Sequence, residues 1–271
     1  MFTLTTLLVA CSAVPPHFDG SMKEPLAVEG GRLLVAAKLD GVRSVLVVDT
    51  AASITSLSTQ TAERVGVEAI SNTEINQGLP AQLGVLRTLS IGVSEHADVT
   101  VAIVDLPNAV DSEVRFDGVL GLDVLSRHDL LLDMPRRTFT FDPPGTFERT
   151  PARQSMQRVD ISTGQYGLIM MEVTFGDHPP IPAILDLGAP SSVVNNAAAQ
   201  MLDVPRPAFR PQDLRVGTVG LDVGYILVRD LPLFDRLGMA NQPVMLIGSD
   251  VFENRSLAIA FRDRAAYVSR R

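Results

Sequence analysis

Two aspartates in this chain share one local pattern, and their type and spacing make them the first candidates for chemistry. Apolar residues lead into Asp49 in residues 47–53 and into Asp186 in residues 184–192, and small residues follow each acid. A carboxylate at the end of a buried strand is costly unless it is paired or used. One such acid in each half of the chain predicts a site built where the two halves meet.

A second repeated pattern follows each acid. An apolar strand leads into Gly121 in the first half and into Gly248 in the second, and a short helix and another apolar strand come next. The glycine lies 72 residues after Asp49 and 62 residues after Asp186. Because both halves carry the same landmarks in the same order, we infer an internal duplication with Gly121 and Gly248 as structural glycines.

The elements that must position these motifs are predicted to be mostly strands. Residues 32–39 and 42–48 flank Asp40-Gly41, a two-residue pattern typical of a hairpin turn. Further strands are predicted at residues 88–93, 98–104, 130–132, 138–141, 168–175 and 181–185. Short helices are predicted at residues 59–65 and 196–202 and after each glycine, where Asp123 and Asp250 are interpreted as helix N-caps rather than catalytic acids.

Turn residues and polar groups between the halves predict a domain boundary. We expect a signal-like segment and tether at residues 1–25, a first half at 26–145, a linker at 146–157 and a second half at 158–271.

Composition excludes several classes of function. The 271 residues are 46% hydrophobic and carry a formal net charge of −8, which argues against a nucleic-acid partner. The four histidines are scattered without metal-ligand spacing, so we expect neither a metal nor a cofactor.

The single cysteine indicates a location. Cys11 follows an apolar run and resembles the lipidated cysteine of bacterial lipoproteins, although no Lys or Arg precedes it. We therefore expect an exported bacterial protein, periplasmic or anchored in the membrane through Cys11.

The repeated acid loops and their glycines resemble the aspartic peptidases, specifically bacterial retropepsin-like members that carry both halves in one chain. The resemblance runs from about residue 29 to the C-terminus. It implies an all-β, bilobal, pepsin-like or retropepsin-like fold with a few short helices and an active-site cleft between two duplicated halves. One chain would then suffice for the site, without a second copy.

The same resemblance implies a mechanism. Asp49 and Asp186 would share one proton, because two adjacent carboxylates cannot both ionise cheaply. The ionised member would activate a water and the protonated member would polarise the scissile carbonyl of a peptide or protein substrate. The implied activity is that of an aspartic endopeptidase without metal or covalent intermediate.

Both loops depart from the family pattern Asp-Thr/Ser-Gly. Ala51 replaces the glycine in the first loop, and Leu187 replaces the hydroxyl residue in the second. The alternative hypothesis is therefore a catalytically impaired relative that binds peptides or protein partners in its cleft. The residues expected to support the two loops are Thr50, Ala51, Ser53, Leu187, Gly188 and Ser191.

Members of the family cover the cleft with a mobile hairpin, the flap. The corresponding segment here is residues 71–85, with Gly78 and Gly84 as candidate hinge or tip residues. An ordinary surface loop is the alternative interpretation of this segment.

Overall fold

A computed structural model describes residues 23–75, 79–106 and 115–270. Cys11 and Gly78 lie outside the described residues, so lipidation and the tip glycine stay predictions. The described chain is built mainly of strands, with a few short helices between them, which confirms the predicted all-β class.

The first half contributes ten strands and two α-helices within the described residues. The strands are β1 (Lys23–Glu29), β2 (Arg32–Leu39), β3 (Val42–Val48), β4 (Ser56–Ser58), β5 (Ser71–Ile75), β6 (Leu79–Ile91), β7 (Ser94–Val104), β8 (Gly118–Leu120), β9 (Asp129–Asp133) and β10 (Thr138–Asp142). The helices are α1 (Thr59–Val65) and α2 (Leu122–Leu125).

The second half follows a 3-10 turn at Phe147–Arg149 and helix α3 (Pro151–Gln154). Its strands are β11 (Met156–Asp160), β12 (Ser162–Thr163), β13 (Ile169–Phe175), β14 (Ile181–Leu185), β15 (Val193–Val194), β16 (Ala208–Phe209), β17 (Leu214–Val216), β18 (Val219–Gly220), β19 (Ile226–Val228), β20 (Met245–Ile247), β21 (Ser256–Ala260) and β22 (Ala265–Ser269). Its helices are α4 (Asn196–Met201), α5 (Pro232–Arg236) and the 3-10 turns at Gln165–Gly167 and Ser249–Phe252.

The hairpin of β2 and β3 shows how local chemistry sets the register near the site. Asp40 and Gly41 both have positive φ, at 46° and 83°, as a two-residue hairpin turn with the twist of its strands requires. The two strands have the predicted bounds and pair from Leu39 opposite Val42 to Leu34 opposite Val47. This register brings the end of β3 directly before Asp49.

Two sheets organise the described chain. The larger has 13 strands in the order β11-β22-β21-β9-β10-β1-β2-β3-β8-β4-β7-β6-β5, and the smaller has nine, in the order β16-β19-β15-β20-β14-β13-β17-β18 with β12 beside β13. At one end of the larger sheet each half supplies three antiparallel strands, β1-β10-β9 and β11-β22-β21, which meet where β9 pairs with β21. The halves therefore use their strands in the same order.

The segment predicted as a linker is packed against the rest of the molecule. Phe147 is fully buried, and its ring centroid lies 5.1 Å from that of Tyr267 on β22. In the described part of the chain, no helix is long and apolar enough to cross a membrane.

The acids and the glycines come to the same edge of each sheet because their strands run parallel. Strand β3 pairs with β8, ending with Val48 opposite Leu120. Strand β14 pairs with β20 in the same direction, ending with Leu185 opposite Ile247. Each acid therefore leaves its strand beside the glycine of its own half.

Candidate active site

Asp49 and Asp186 are each fixed by the neighbouring strand at the point where they leave the sheet. The N–H of Asp49 donates to the carbonyl of Leu120 at 3.1 Å, and the N–H of Asp186 donates to the carbonyl of Ile247 at 2.9 Å. Because these bonds extend the sheet by one residue, the position of each acid is set by backbone rather than by a side chain.

The loop after each acid then holds one carboxylate oxygen. In both loops Oδ1 accepts two backbone N–H bonds, from the residues two and three positions further along the chain. These bonds join Ala51 N (2.7 Å) and Ala52 N (2.9 Å) to Asp49, and Gly188 N (2.9 Å) and Ala189 N (3.0 Å) to Asp186. Each carboxylate is thus oriented by its own loop, with Oδ2 outside these contacts.

The two carboxyl groups, one from each half, lie close enough that each affects the pKa of the other. Burial is the largest cause that raises the pKa of Asp49, and the N–H bonds of its loop oppose the shift. Burial, and then the charge of Asp49, raise the pKa of Asp186 well above its ordinary value. The pair therefore favours a state in which the two acids share one proton.

Thr50 joins the two loops. Its buried hydroxyl donates to the carbonyl of Leu185 at 2.7 Å and accepts from the N–H of Leu187 at 3.0 Å. The hydroxyl of Thr50 in the first loop therefore satisfies a backbone acceptor just before Asp186 and a backbone donor just after it. This contact fixes how the second loop sits against the first.

Gly188 lies so close to the first acid that no side chain fits there. A Cβ added to Gly188 would lie 2.4 Å from Cγ and 2.6 Å from Oδ2 of Asp49. The second loop therefore requires a glycine at the point where Asp49 approaches.

Ala51 and Leu187, the two residues that depart from the family pattern, both fit their surroundings. Ala51 does not have a positive φ, and its methyl group packs against an apolar cluster that contains Leu168 and Phe234. Leu187 is fully buried in the main core, so this position contributes packing instead of a second hydroxyl across the interface. The hydroxyl that joins the two loops therefore belongs to Thr50 in the first loop, and Leu187 in the second loop supplies no counterpart.

The interpretation of Asp123 and Asp250 as helix N-caps is wrong. The N-cap residues are Gly121 and Gly248, and the two acids lie two positions further along, within the first turn. Their carboxylates instead accept hydrogen bonds from the acid loops, as described next. Asp250 also accepts from the N–H of Val251 at 3.0 Å.

In each half, the carboxylate of Asp123 or Asp250 bonds to a hydroxyl residue that lies six positions after Asp49 or Asp186. Thr55 donates its N–H (2.7 Å) and hydroxyl (2.8 Å) to Asp123, and its hydroxyl accepts from the N–H of Gly121 at 3.1 Å. Ser192 donates its N–H (2.9 Å) and hydroxyl (2.7 Å) to Asp250 and accepts from Gly248 at 3.0 Å. The equal spacing in both halves was the signal in the sequence that could have revealed these residues.

The structural glycines permit this contact. A Cβ on Gly121 would lie 2.8 Å from the nitrogen of Thr55, and one on Gly248 would lie 2.7 Å from the carbonyl carbon of Ser191. Ser53 and Ser191, predicted to support the loops, make no side-chain hydrogen bond within the described residues, because the supporting hydroxyls belong to Thr55 and Ser192.

Strands β5 and β6 form a hairpin in the segment predicted as the flap. They pair from Ser71 opposite Leu83 to Ile75 opposite Leu79. Gly84 lies inside β6, opposite Val101, and a Cβ there would lie 2.5 Å from the side chain of Val67. Gly84 is therefore a packing glycine rather than a tip residue, which corrects its predicted place.

Open space lies on both sides of the acid pair. A cavity of about 210 Å³ is lined by Asp49 and Gly188 together with Arg32, Val47, Leu106, Phe116 and Val119. A larger cavity of about 650 Å³ is lined by Asp186, Ala51 and Ser53 and is bordered by Glu74 and Ile75 of the hairpin. A chain crossing the acid pair would therefore have space on each side.

The histidines form no metal site in the described chain. His96 and His128 are 32 residues apart in sequence, yet their Nε2 atoms lie 3.0 Å apart in the fold. Within residues 23–75, 79–106 and 115–270, no group of three or more possible ligands could hold a metal ion.

Comparisons with known proteins find a family match in the first half of the chain. Residues 35–124 match the family of aspartyl proteases. No curated protein matches the sequence. The solved structures similar to this chain include a retropepsin-like aspartic protease from Rickettsia conorii, with 22% identity, a TM-score of 0.35, and coverage of 44% of this chain and 87% of that one. The residues matched by the aspartyl protease model run from within β2 through Asp49 to Gly121 and into α2.

Proposed function

We propose that this protein is an aspartic endopeptidase in which Asp49 and Asp186 activate a water to hydrolyse peptide bonds. The observation that carries the proposal is the meeting of the two carboxyl groups, each oriented by two N–H donors of its own loop and each acting on the pKa of the other. Such a pair holds one proton at a pH where two isolated carboxylates would hold none.

The proposed reaction uses that single proton twice. The ionised carboxylate takes a proton from the water as the water oxygen attacks the scissile carbonyl carbon, while the protonated carboxyl gives its proton to the carbonyl oxygen, so that a gem-diol forms and the pair still holds one proton. The gem-diol collapses when the C–N bond breaks: the proton of the pair goes to the amine nitrogen, and one gem-diol hydroxyl returns its proton to the pair. The products are a carboxyl and an amine, and the pair again holds one proton.

Hydrolysis of a peptide mixture by the purified protein, at acidic and neutral pH, tests this proposal. We expect cleavage by the wild type and a loss of about 1,000-fold or more in Asp49→Asn and Asp186→Asn, because either change removes the shared proton. Asp263→Asn, at an exposed carboxylate, is the matched control. Cleavage that persists in both dyad variants would contradict the mechanism.

Saturable binding of peptides without hydrolysis is the outcome that favours the alternative, a catalytically impaired cleft. Leu187 is the feature consistent with that alternative, since it supplies no hydroxyl to the first loop. Peptides therefore need to be measured for binding as well as for cleavage.

We also propose export and lipid attachment at Cys11, on the sequence pattern alone. Fractionation of cells that express the wild type or Cys11→Ala tests this. We expect the wild type in the membrane fraction and the variant in the soluble fraction, and an unchanged distribution would contradict the anchor.

A further inference from the structure

Arg236 is a cation in the wall of the larger cavity, the one that Asp186 also lines. It is the last residue of α5, and its Nε atom is buried without a hydrogen-bond partner among the described residues. It also forms no ion pair with a described carboxylate. Arg236 therefore lines the cavity with at least one donor, its Nε, that the described chain does not use.

The rest of that wall does little to solvate a charge. Its apolar members are Ala51, Ile75, Leu168, Leu231, Pro232, Leu233 and Leu246. Glu74, on β5, is the other charged residue of this wall apart from Asp186, and it is exposed to water. Because a buried donor without a partner is costly, the cavity favours an occupant that brings an acceptor to Arg236.

We propose that Arg236 makes this cavity selective for substrates with an acidic side chain near the scissile bond, on the side of Asp186. A carboxylate matches the planar guanidinium with two parallel hydrogen bonds, and the apolar walls strengthen that pair. The inference rests on the proposed function, because it assigns the substrate class of that same site.

Arg236 is separate from the acid pair itself. Burial, Asp49 and the loop N–H groups are the causes that set the pKa of Asp186, and Arg236 is not among them. Because Asp186 and Arg236 line the same cavity, a substrate whose reacting carbonyl lies at the acid pair can bring a neighbouring side chain to Arg236. Arg236 is a specificity-determining residue, and its loss should leave the chemistry of the pair in place.

Matched peptides test the proposal. Three sets share one sequence and differ only in Glu, Gln or Lys at the positions flanking the cleaved bond, and kcat/KM is measured for each. We expect the wild type to prefer Glu over Gln by about 10-fold or more, as a desolvated charged pair would give. Arg236→Glu should prefer Lys, Arg236→Lys should keep a weaker preference for Glu, and Arg229→Glu, at an exposed arginine outside this cavity, should behave as wild type.

A binding experiment separates failure of this inference from failure of the proposed function. The probes are Glu and Gln peptides whose scissile amide is replaced by a hydroxyl-bearing isostere that cannot be cleaved. Tighter binding of the Glu probe, lost in Arg236→Glu, supports the selectivity even if no peptide is hydrolysed. Equal binding and equal cleavage of the Glu and Gln peptides by the wild type would overturn it, whether or not the protein is a peptidase.

Discussion

Gly188 and Asp49 are in contact across the boundary between the two halves, with no room for a side chain between them. The Cα of Gly188 faces the carboxyl of the first acid so closely that a Cβ would lie within 2.4 Å of it. The second half therefore contributes to the site in two ways. It supplies Asp186, and its Gly188 leaves room for the carboxyl of Asp49.

Gly188→Ala should move Asp49 and reduce catalysis. Because a misplacement of about 1 Å can cost roughly 100-fold in rate, we expect kcat/KM to fall by about that factor while the fold is retained. Gly224→Ala is the control, since a Cβ there meets nothing within 4 Å. Unchanged kinetics in Gly188→Ala would show that Asp49 tolerates the displacement.

Thr50→Val should weaken the join between the two loops. The change removes the hydroxyl and leaves the carbonyl of Leu185 and the N–H of Leu187 buried without this partner. We expect a loss of about 2 kcal/mol in the free energy of unfolding, measured by chemical denaturation, and a fall in kcat/KM. Thr50→Ser, which keeps the hydroxyl, should stay close to wild type. Equal stability of the Val and Ser variants would contradict this role.

The repeated pattern of the sequence was sufficient to predict the parts of the fold that local chemistry dictates. The hairpin at Asp40-Gly41, helix α1 and the short helices after Gly121 and Gly248 all lie where turn residues and apolar periodicity placed them. The partners of Asp123 and Asp250 were not predictable in that way. Their carboxylates bond to hydroxyls 68 and 58 residues away. An aspartate near the start of a helix has the same sequence pattern whether it caps that helix or bonds to such a distant residue.

The His96–His128 pair should make stability fall in mild acid. Burial, followed by the charges of His128 and Arg127, lowers the pKa of His96 to about 4, and burial also lowers the pKa of His128. The unfolded chain binds protons near pH 6.5, whereas folded His96 does so only near pH 4. Between pH 6.5 and about pH 4 the unfolded state holds more protons than the folded state. The contribution of His96 to the free energy of unfolding is therefore complete above pH 6.5 and is lost as the pH falls.

His96→Leu should flatten this dependence. We expect the change in the free energy of unfolding between pH 7.5 and pH 5 to shrink by about 2 kcal/mol, measured by denaturant titration at each pH. His178→Gln, at an exposed histidine, should leave the dependence unchanged. An identical pH dependence in His96→Leu and wild type would contradict the assignment.

Tyr166 combines backbone strain with a place in the wall of the larger cavity. Its φ is 57°, a region that a bulky residue rarely adopts, and its side chain is 57% exposed. Because strain of this kind clusters at functional sites, we predict that Tyr166 contacts a peptide bound in the cavity. This role was not predictable from the sequence pattern, because φ at this position depends on the turn before β13.

Tyr166→Asn should therefore separate stability from affinity. Asn tolerates positive φ better than Tyr, so we expect the free energy of unfolding to stay the same or rise by up to about 1 kcal/mol. The KM for peptides should rise several-fold with little change in kcat, because the lost contact is made in substrate and transition state alike. Tyr225→Asn, at another exposed tyrosine, is the control. A lower stability with an unchanged KM would contradict the role.

The pH dependence of kcat/KM tests the central claim, that Asp49 and Asp186 act as one pair with one proton. Because the pKa values of both acids are raised, the singly protonated pair should persist above the range of an ordinary carboxyl group. We predict a bell-shaped profile whose alkaline limb lies above that range, and a loss of about 1,000-fold or more at every pH in Asp49→Asn and Asp186→Asn. A profile governed by a single ordinary carboxyl, or activity retained in either variant, would contradict the account.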